Sequence, residues 1–251
     1  MHHLPQPSTF SARAPLQELL QQAKSKYQLR FETVKVGESS LQVLQLADME
    51  NYVDHLAETL PYGQKLELPF WAKIWPTSIL LSYYLQRMGL QQQGTMLELG
   101  SGVGVCGLFA AQQGYQVVIS DTHEDALLFS RINILQNNLQ DRAEVAKVDF
   151  TSHRLQHSFH YILGSEILYQ EDCYRPLLDF LQHHMAPGPD SEAILAKSYN
   201  LKAEKFFQLA HKEFQVQEKT LGYRQQAPAQ EQSSPEKYLS QIYRLRPLKN
   251  V

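Results

Sequence analysis

Thr95-Met96-Leu97-Glu98-Leu99-Gly100-Ser101-Gly102-Val103-Gly104-Val105-Cys106-Gly107 is the stretch on which the reading of the whole chain turns. A short apolar run reaches an acid, turns through alternating glycines and passes into an apolar helical pattern. That order is a strand, a tight crossover and a helix. Glycine lets the backbone take positive φ and lie close to a ligand. The helix N-terminus beyond the turn presents unpaired N–H groups. A crossover with no ligand is the plainer alternative, but three alternating glycines exceed what a turn requires.

The ligand is not settled by the glycines. Gly102, Gly104 and Gly107 spell G-x-G-x-x-G, the dinucleotide spacing, while Gly100, Gly102 and Gly104 spell G-x-G-x-G. Asp121 ends the next strand-like run, Gln116 to Ser120, about 20 residues on, where either ligand class needs a carboxylate for ribose hydroxyls. Glu98 separates the two. A carboxylate two residues before the glycines repels a pyrophosphate. It attracts the α-ammonium of S-adenosyl-L-methionine, which carries no phosphate. The acid favours a methyl donor over a nicotinamide.

Three blocks then resemble a known family. Residues Leu97 to Gly104 (LELGSGVG) resemble motif I of the class I, seven-stranded methyltransferases. Pro69 to Pro76 (PFWAKIWP) is similar to the segment preceding motif I in the protein-lysine methyltransferases of the methyltransferase-16 group. Ser165-Glu166-Ile167-Leu168-Tyr169 resembles that group's (D/E)-x-x-(Y/F) signature after the fourth strand. The blocks occur in the family's order and cover residues 69 to 200. The resemblance implies an α/β fold, a Rossmann-like doubly wound seven-stranded sheet in the order 3-2-1-4-5-7-6 with strand 7 antiparallel. Pattern alone gives only α/β, from strands alternating with helices.

Length and composition set the bounds. At 251 residues and 43% hydrophobic content the chain can bury one sizeable core, or one domain with an appendage. A formal charge of −3 argues against a nucleic-acid footprint. Two cysteines, Cys106 and Cys173, are too few for a disulfide framework and fit a reducing, cytoplasmic setting. No apolar run is long enough for a membrane span, and the N-terminus lacks a signal-peptide pattern. The histidines give no metal-ligand spacing, so no metal is expected.

Along the chain, residues 1 to 14 are rich in Pro and Ser and read as mobile. A helix is predicted from Pro15 to Lys26. Strands Leu29 to Val36 and Leu41 to Leu46 read as a hairpin, followed by a helix capped by Asp48. Residues 1–68 thus form a small N-terminal α/β extension (helix plus hairpin), and residues 69–251 the donor-binding domain. Such an extension either shapes a substrate entrance or covers one edge of the sheet. Helices are predicted at Thr77 to Met88, Glu124 to Asn138, Tyr174 to His183 and Lys202 to Phe214. Strands are predicted at Val117 to Ser120, Ala143 to Val148, Phe159 to Gly164 and Ala193 to Ala196. Val216 to Tyr223 and Tyr238 to Leu245 read as an antiparallel pair around a polar loop, residues 225 to 236. Gln91 to Gly94 is a polar connector.

In parallel α/β sheets ligands sit beyond the carboxyl ends of the strands. Glu98, Asp121, Asp149 and Glu166 each lie at or just after such an end and so share one rim. Asp121 is assigned to the ribose hydroxyls. The resemblance adds Gly100, Ser101, Gly102 and Gly104 as the donor loop, and Trp75 and Ser165 as pocket residues. It makes Asp149 a contact to the adenine amino group and Phe150 the ring stacked on the base, where many members have Trp. It also makes Glu166 and Tyr169 the target-handling pair, which a helical three-residue step would put on one face. The family's usual residue at 166 is Asp, so Glu reaches one methylene further. For each of these positions ordinary packing, or a solvated loop acid, is the alternative.

The reading is an S-adenosyl-L-methionine-dependent N-methyltransferase acting on a lysine ε-amine of a protein substrate, with no nucleic acid and no membrane partner. A small-molecule amine N-methyltransferase, a nicotinamide enzyme and a catalytically silent donor-binding module are its rivals.

Overall fold

The computed structural model describes residues 4–61, 63–64, 66, 68–89, 94–224 and 237–248. Helix α1 (Leu16–Lys24) follows Pro15 and buries Leu19 and Ala23. The hairpin strands β1 (Leu29–Val36) and β2 (Ser39–Leu46) pair antiparallel, with Val36 opposite Ser39. Helix α2 (Met49–Thr59) starts at Asp48, whose carboxylate accepts from the Asn51 N–H at 3.0 Å. This satisfies one of the donors a helix start leaves unpaired. After a single 3-10 turn at Phe70–Ala72 comes α3 (Pro76–Met88), with proline where a missing N–H is harmless.

From there strands and helices alternate: β3 (Thr95–Leu99), α4 (Val105–Gln112), β4 (Gln116–Asp121), α5 (Glu124–Gln136), β5 (Ala143–Lys147) and β6 (Tyr161–Ser165). Then come α6 (Tyr174–His184), β7 (Glu192–Ser198), α7 (Glu204–Ala210), β8 (Phe214–Arg224) and β9 (Lys237–Pro247). The seven strands from β3 onward lie in the order β5-β4-β3-β6-β7-β9-β8. β3 to β7 are parallel, and β9 runs antiparallel to both β7 and β8. Counted from β3 this is 3-2-1-4-5-7-6 with the seventh strand antiparallel, the order the resemblance implies.

Neighbouring strand residues alternate between two apolar cores, one on each face of the sheet. Met96 and Ile119 pack with Phe109, Phe129 and the hairpin residues Val34 and Val43. Leu97, Leu99 and Val118 pack on the other face with Phe180, Phe206 and Phe214. The hairpin therefore joins one of the two main cores. Its β2 backbone is paired by asparagines of α5: Leu44 N–H donates to Asn133 Oδ1 at 2.7 Å and Gln42 N–H to Asn137 Oδ1 at 2.9 Å.

Three expectations are corrected. The segment after residue 3 is held rather than mobile. Leu4 is buried beside Ala146 and Val148, and the Pro5 carbonyl accepts from Lys147 N–H at 2.8 Å. The Ser8 and Thr9 N–H groups donate to Glu124. β5 is the edge of the sheet, and the strap covers backbone that would otherwise stay open. The predicted helix to Phe214 stops at Ala210, because Phe214 already pairs with Pro247 at the start of β8. The fourth core strand begins at Tyr161, since Phe159 instead bridges to Met185. The loop at 225 to 236 and residues 91 to 93 of the connector lie outside the described residues. Among the described residues no helix is long and apolar enough to cross a membrane.

Candidate active site

At the carboxyl ends of β3 to β6 lies a cleft of about 710 Å³, a volume suited to a nucleoside-sized ligand. Its floor is the turn between β3 and α4. Gly100, Gly102 and Gly104 take φ of +59°, +55° and +84°, the left-handed region that side chains disfavour. A Cβ on Gly102 would stand 2.7 Å from the Trp71 carbonyl oxygen, so the segment carrying the tryptophans lies directly over the loop. Gly107 has another task. A Cβ there would meet Ile119 at 2.5 Å and Glu98 Oε2 at 2.7 Å, so its bareness lets α4 close on the sheet. The last glycine of G-x-G-x-x-G thus serves packing. Gly104 caps α4, and a Cβ on it would meet Ser130 and Ile119, so of the candidate residues it alone does not line the cleft.

Glu98 is 2% exposed and its Oε2 accepts from Gly107 N–H at 2.8 Å. Burial pushes its pKa up to about 8, against the pull of that hydrogen bond. Nothing cationic faces it among the described residues, so the buried carboxyl lacks the partner that would ionise it. Asp121 Oδ2 accepts from Gly102 N–H at 2.8 Å and Oδ1 from His123 N–H at 2.9 Å. Burial raises its pKa and these N–H groups oppose the rise. A carboxylate has about four acceptor sites, so Asp121, which lines the cleft, keeps acceptor capacity beyond these bonds. The hydroxyls of Ser101 and Ser165 are buried in the cleft wall without a partner. Such orphaned groups are rare in a closed core and ordinary where a polar ligand docks.

Asp149 Oδ1 accepts from the Thr151 N–H at 2.8 Å and its hydroxyl at 2.6 Å. Partial burial works against the ionised form, but the Thr151 bonds outweigh it and hold the pKa below the usual range. Phe150, half-buried, lines the cleft beside it. Trp75 donates its Nε1–H to the Phe70 carbonyl at 3.1 Å, and Lys73 Nζ lies 4.8 Å from its ring centroid. Trp71 stacks on His123 with centroids 4.9 Å apart and meets Phe129 edge-on. Both tryptophans line the cleft.

The geometry at Glu166 and Tyr169 differs from the expected helical step. Glu166 has φ +58°, and the first helical turn after β6 is at Glu171–Cys173. A non-glycine residue in that region is strained unless its surroundings hold it. Here the Glu166 N–H donates to the Ala196 carbonyl at 2.9 Å, and its carboxylate accepts from Ser198 N–H at 2.7 Å and from the Thr77 hydroxyl. Burial raises the Glu166 pKa, opposed by Thr77, by Ser198 and by the Lys197 charge. The turn leaves Tyr169 68% exposed at the cleft mouth, with Phe70 59% exposed on the same cleft.

Several contributors were not apparent in the sequence. Thr77, together with Ser198 of the run 197–200 that the sequence already places on this rim, fixes the acid. Ser130 Oγ donates to the Gly102 carbonyl at 2.9 Å and Asn133 Nδ2 to the Val103 carbonyl at 3.0 Å, which ties α5 to the glycine loop. The only signal for the last pair is polar residues in an otherwise apolar helix face.

Known proteins match this arrangement. A family model described as lysine methyltransferase matches residues 62–213. Protein N-lysine methyltransferase METTL21A of Mus musculus is 34% identical over 119 residues, 45% of this chain and 54% of that protein. The chain thus spans about half the length of that relative. EEF1A lysine methyltransferase 3 of Mus musculus is 28% identical over 163 residues, 61% of this chain and 66% of that protein. Among solved structures, a putative RNA methyltransferase of Pyrococcus horikoshii superposes with TM-score 0.55 at 16% identity, covering 79% of this chain and 98% of that one, a likeness of fold alone. The family match extends over more than half of the chain and takes in the glycine loop, the tryptophan segment and the Glu166 turn. The chain therefore belongs to the lysine methyltransferase family, whose methyl donor is S-adenosyl-L-methionine.

Proposed function

We propose that the chain transfers a methyl group to the ε-amine of a lysine in a protein substrate. One observation carries the reading: apart from Gly104, every candidate residue lines a single cleft, whose mouth is flanked by Glu166 and the exposed Tyr169. S-adenosyl-L-methionine supplies an electrophilic methyl on a sulfonium. Asp121 holds the ribose hydroxyls, Glu98 the α-ammonium, Asp149 and Phe150 the base, and the Ser101 and Ser165 hydroxyls find partners in the ligand. Gly100 and Gly102 let the backbone lie against it, and Gly104 turns the chain behind them. Trp75 walls the side nearest the acceptor.

The protein's task in an in-line displacement is alignment. The lysine nitrogen forms the new C–N bond as the C–S bond breaks and its electron pair returns to sulfur. A lysine ammonium has first to give its proton to solvent, which costs about 5 kcal/mol at pH 7 from its reference pKa of about 10.4. Burial against a neighbouring cation lowers that cost. Glu166, held by Thr77 and Ser198, orients the amine, and Tyr169 presents a ring to the cationic product. The two cysteines, both free thiols, suit a reducing compartment such as the cytoplasm.

The test is incubation of the protein with tritiated donor and a hypomethylated cell extract, with calorimetry against S-adenosylhomocysteine and NAD alongside. Label on protein lysine is expected. Label confined to small molecules, or tight NAD binding without response to the methyl donor, overturns the reading.

A further inference from the structure

A second cavity, of about 420 Å³, adjoins the first, and the two share Lys73, Trp75 and Glu166 as a common wall. The far wall of this groove is the N-terminal hairpin, through Glu32 and Gln45. Strand side chains alternate, so Glu32 belongs to the β1 face that buries Val34 and Val36. Gln45 belongs to the β2 face that buries Leu41 and Val43. At the groove the core-facing side of the hairpin thus changes from branched aliphatics to an acid and an amide. Gln45 Nε2 donates to Glu32 Oε2 at 2.8 Å, which fixes the carboxylate there. The Glu32 side chain is about half exposed, and its Oε2 also lies 3.6 Å from the Arg30 guanidinium.

We propose that this groove receives the acceptor polypeptide around its target lysine, and that the hairpin reads it, with Glu32 selecting a basic residue close to that lysine. The inference rests on the transferase reading above and names its acceptor side. Continuity supports it: an amine reaching Glu166 from this groove arrives at the wall of the donor cleft. Charge supports it as well. The groove carries two carboxylates, Glu32 and Glu166, and one ammonium, Lys73, which already lies over the Trp75 ring. Arg30 faces Glu32 at 3.6 Å, but both side chains are more than half exposed, a weak pairing that a basic side chain of the acceptor can replace. Ile74, Pro76 and Ile79 offer apolar surface along which long basic side chains lay their methylene stems. Neither Glu32 nor Gln45 lines the donor cleft, so acceptor and donor affinity are separable there.

The experiment compares wild type, Glu32→Lys and Lys35→Glu, all as full chains. Lys35 is exposed on the opposite face of the same strand. Labelling of hypomethylated extract by tritiated donor is measured over a range of extract concentrations, with calorimetry against S-adenosylhomocysteine and a melting curve for each variant. Glu32→Lys is expected to cut protein labelling at least fivefold at low extract, with partial recovery at high extract and unchanged S-adenosylhomocysteine affinity. Lys35→Glu is expected to label as wild type. Mass spectrometry of wild-type product is expected to find Arg or Lys within about three residues of the methylated lysine, at roughly 3.3 Å per extended residue. Equal labelling by all three proteins overturns the groove. So does equal loss in both variants, which makes the hairpin structural, or methylated sites flanked by acids. Wild type that binds S-adenosylhomocysteine yet labels no protein overturns the transferase reading itself, and the groove with it.

Discussion

If Glu98 holds the donor's α-ammonium as proposed, donor binding just below neutral pH should release close to one proton. The carboxyl is buried against the Gly107 and Cys106 N–H groups, with no cation beside it among the described residues, and burial pushes its pKa up to about 8. At pH 6.5 such a group is about 97% protonated. An α-ammonium beside it restores the ordinary carboxylate range, so binding expels about 0.9 proton. The donor's own amine, with a reference pKa of about 7.7–8.0, is already charged at that pH and takes up almost none. Affinity therefore rises with pH from 6 toward 8 and falls above 8, as the amine loses its charge.

Calorimetric titration with S-adenosylhomocysteine, which carries the same amine, in buffers of different ionisation enthalpy gives the proton count directly from the slope. Glu98→Gln should bind with no proton release and a flat profile from pH 6 to 7. The ligand-free protein carries the matching signature. A carboxyl whose folded pKa lies above its ordinary 4.5 favours the folded state at low pH and loses that contribution as pH rises toward 8. Glu98→Gln should remove that slope from the melting temperature. Zero proton release at pH 6.5, or the same release in Glu98→Gln, refutes the assignment of Glu98 to the amine.

Asp121→Ala should weaken S-adenosylhomocysteine binding more than tenfold by calorimetry, since in the proposed role two ribose hydroxyls lose a charged acceptor. Tyr169→Phe should leave that affinity and the melting curve unchanged and alter turnover on labelled extract, because the ring is exposed and only its hydroxyl is removed. Glu124 accepts from Lys147, Ser8 and Thr9, and these bonds outweigh its burial to pull the pKa down to about 2. A depressed carboxylate stabilises above its ordinary value and loses that stability as pH falls toward about 2. Chemical denaturation should therefore show Glu124→Gln destabilised at pH 6, with the gap narrowing below pH 4. Asn133→Leu should destabilise by ~2–6 kcal/mol in denaturant titrations, because it strands the buried Leu44 N–H and Val103 carbonyl, each costing ~1–3 kcal/mol.

The parallel strands were legible because both faces of each are buried, so Leu97 to Leu99 or Val117 to Ile119 can only read as apolar runs. The ends of the helices were legible where a single residue marks them, as Asp48 does. The N-terminal strap was not. Its anchors, Glu124 and Lys147, lie more than a hundred residues on, and a Pro- and Ser-rich segment has no period to betray that it is held. The Glu166 turn was hidden for a related reason. Spacing of three between an acid and a tyrosine reads as helix, while left-handed φ at a glutamate depends on Ala196, Ser198 and Thr77 from other elements. The glycine overlap was ambiguous in one dimension only. Gly107 differs from Gly102 by what stands opposite the missing Cβ, Ile119 and Glu98 in one case and the Trp71 backbone in the other.

The hairpin is tied to the donor loop by one fully buried amide. Asn133 accepts from β2 through Oδ1 and donates to the Val103 carbonyl through Nδ2, while Ser130, one turn earlier on α5, holds the carbonyl of Gly102. An apolar side chain at position 133 would suit the helix face equally well. It would leave one buried donor and one buried acceptor unpaired, so the polar choice is explained by what it joins. The same hairpin reaches the second groove at its other end through Glu32 and Gln45. Backbone linked through Asn133 to the glycine turn and side chains that line the second groove thus belong to one small sheet. A shift of β2 along α5 would disturb both at once, so a variant that loosens the Asn133 bonds should alter the glycine turn and the second groove together.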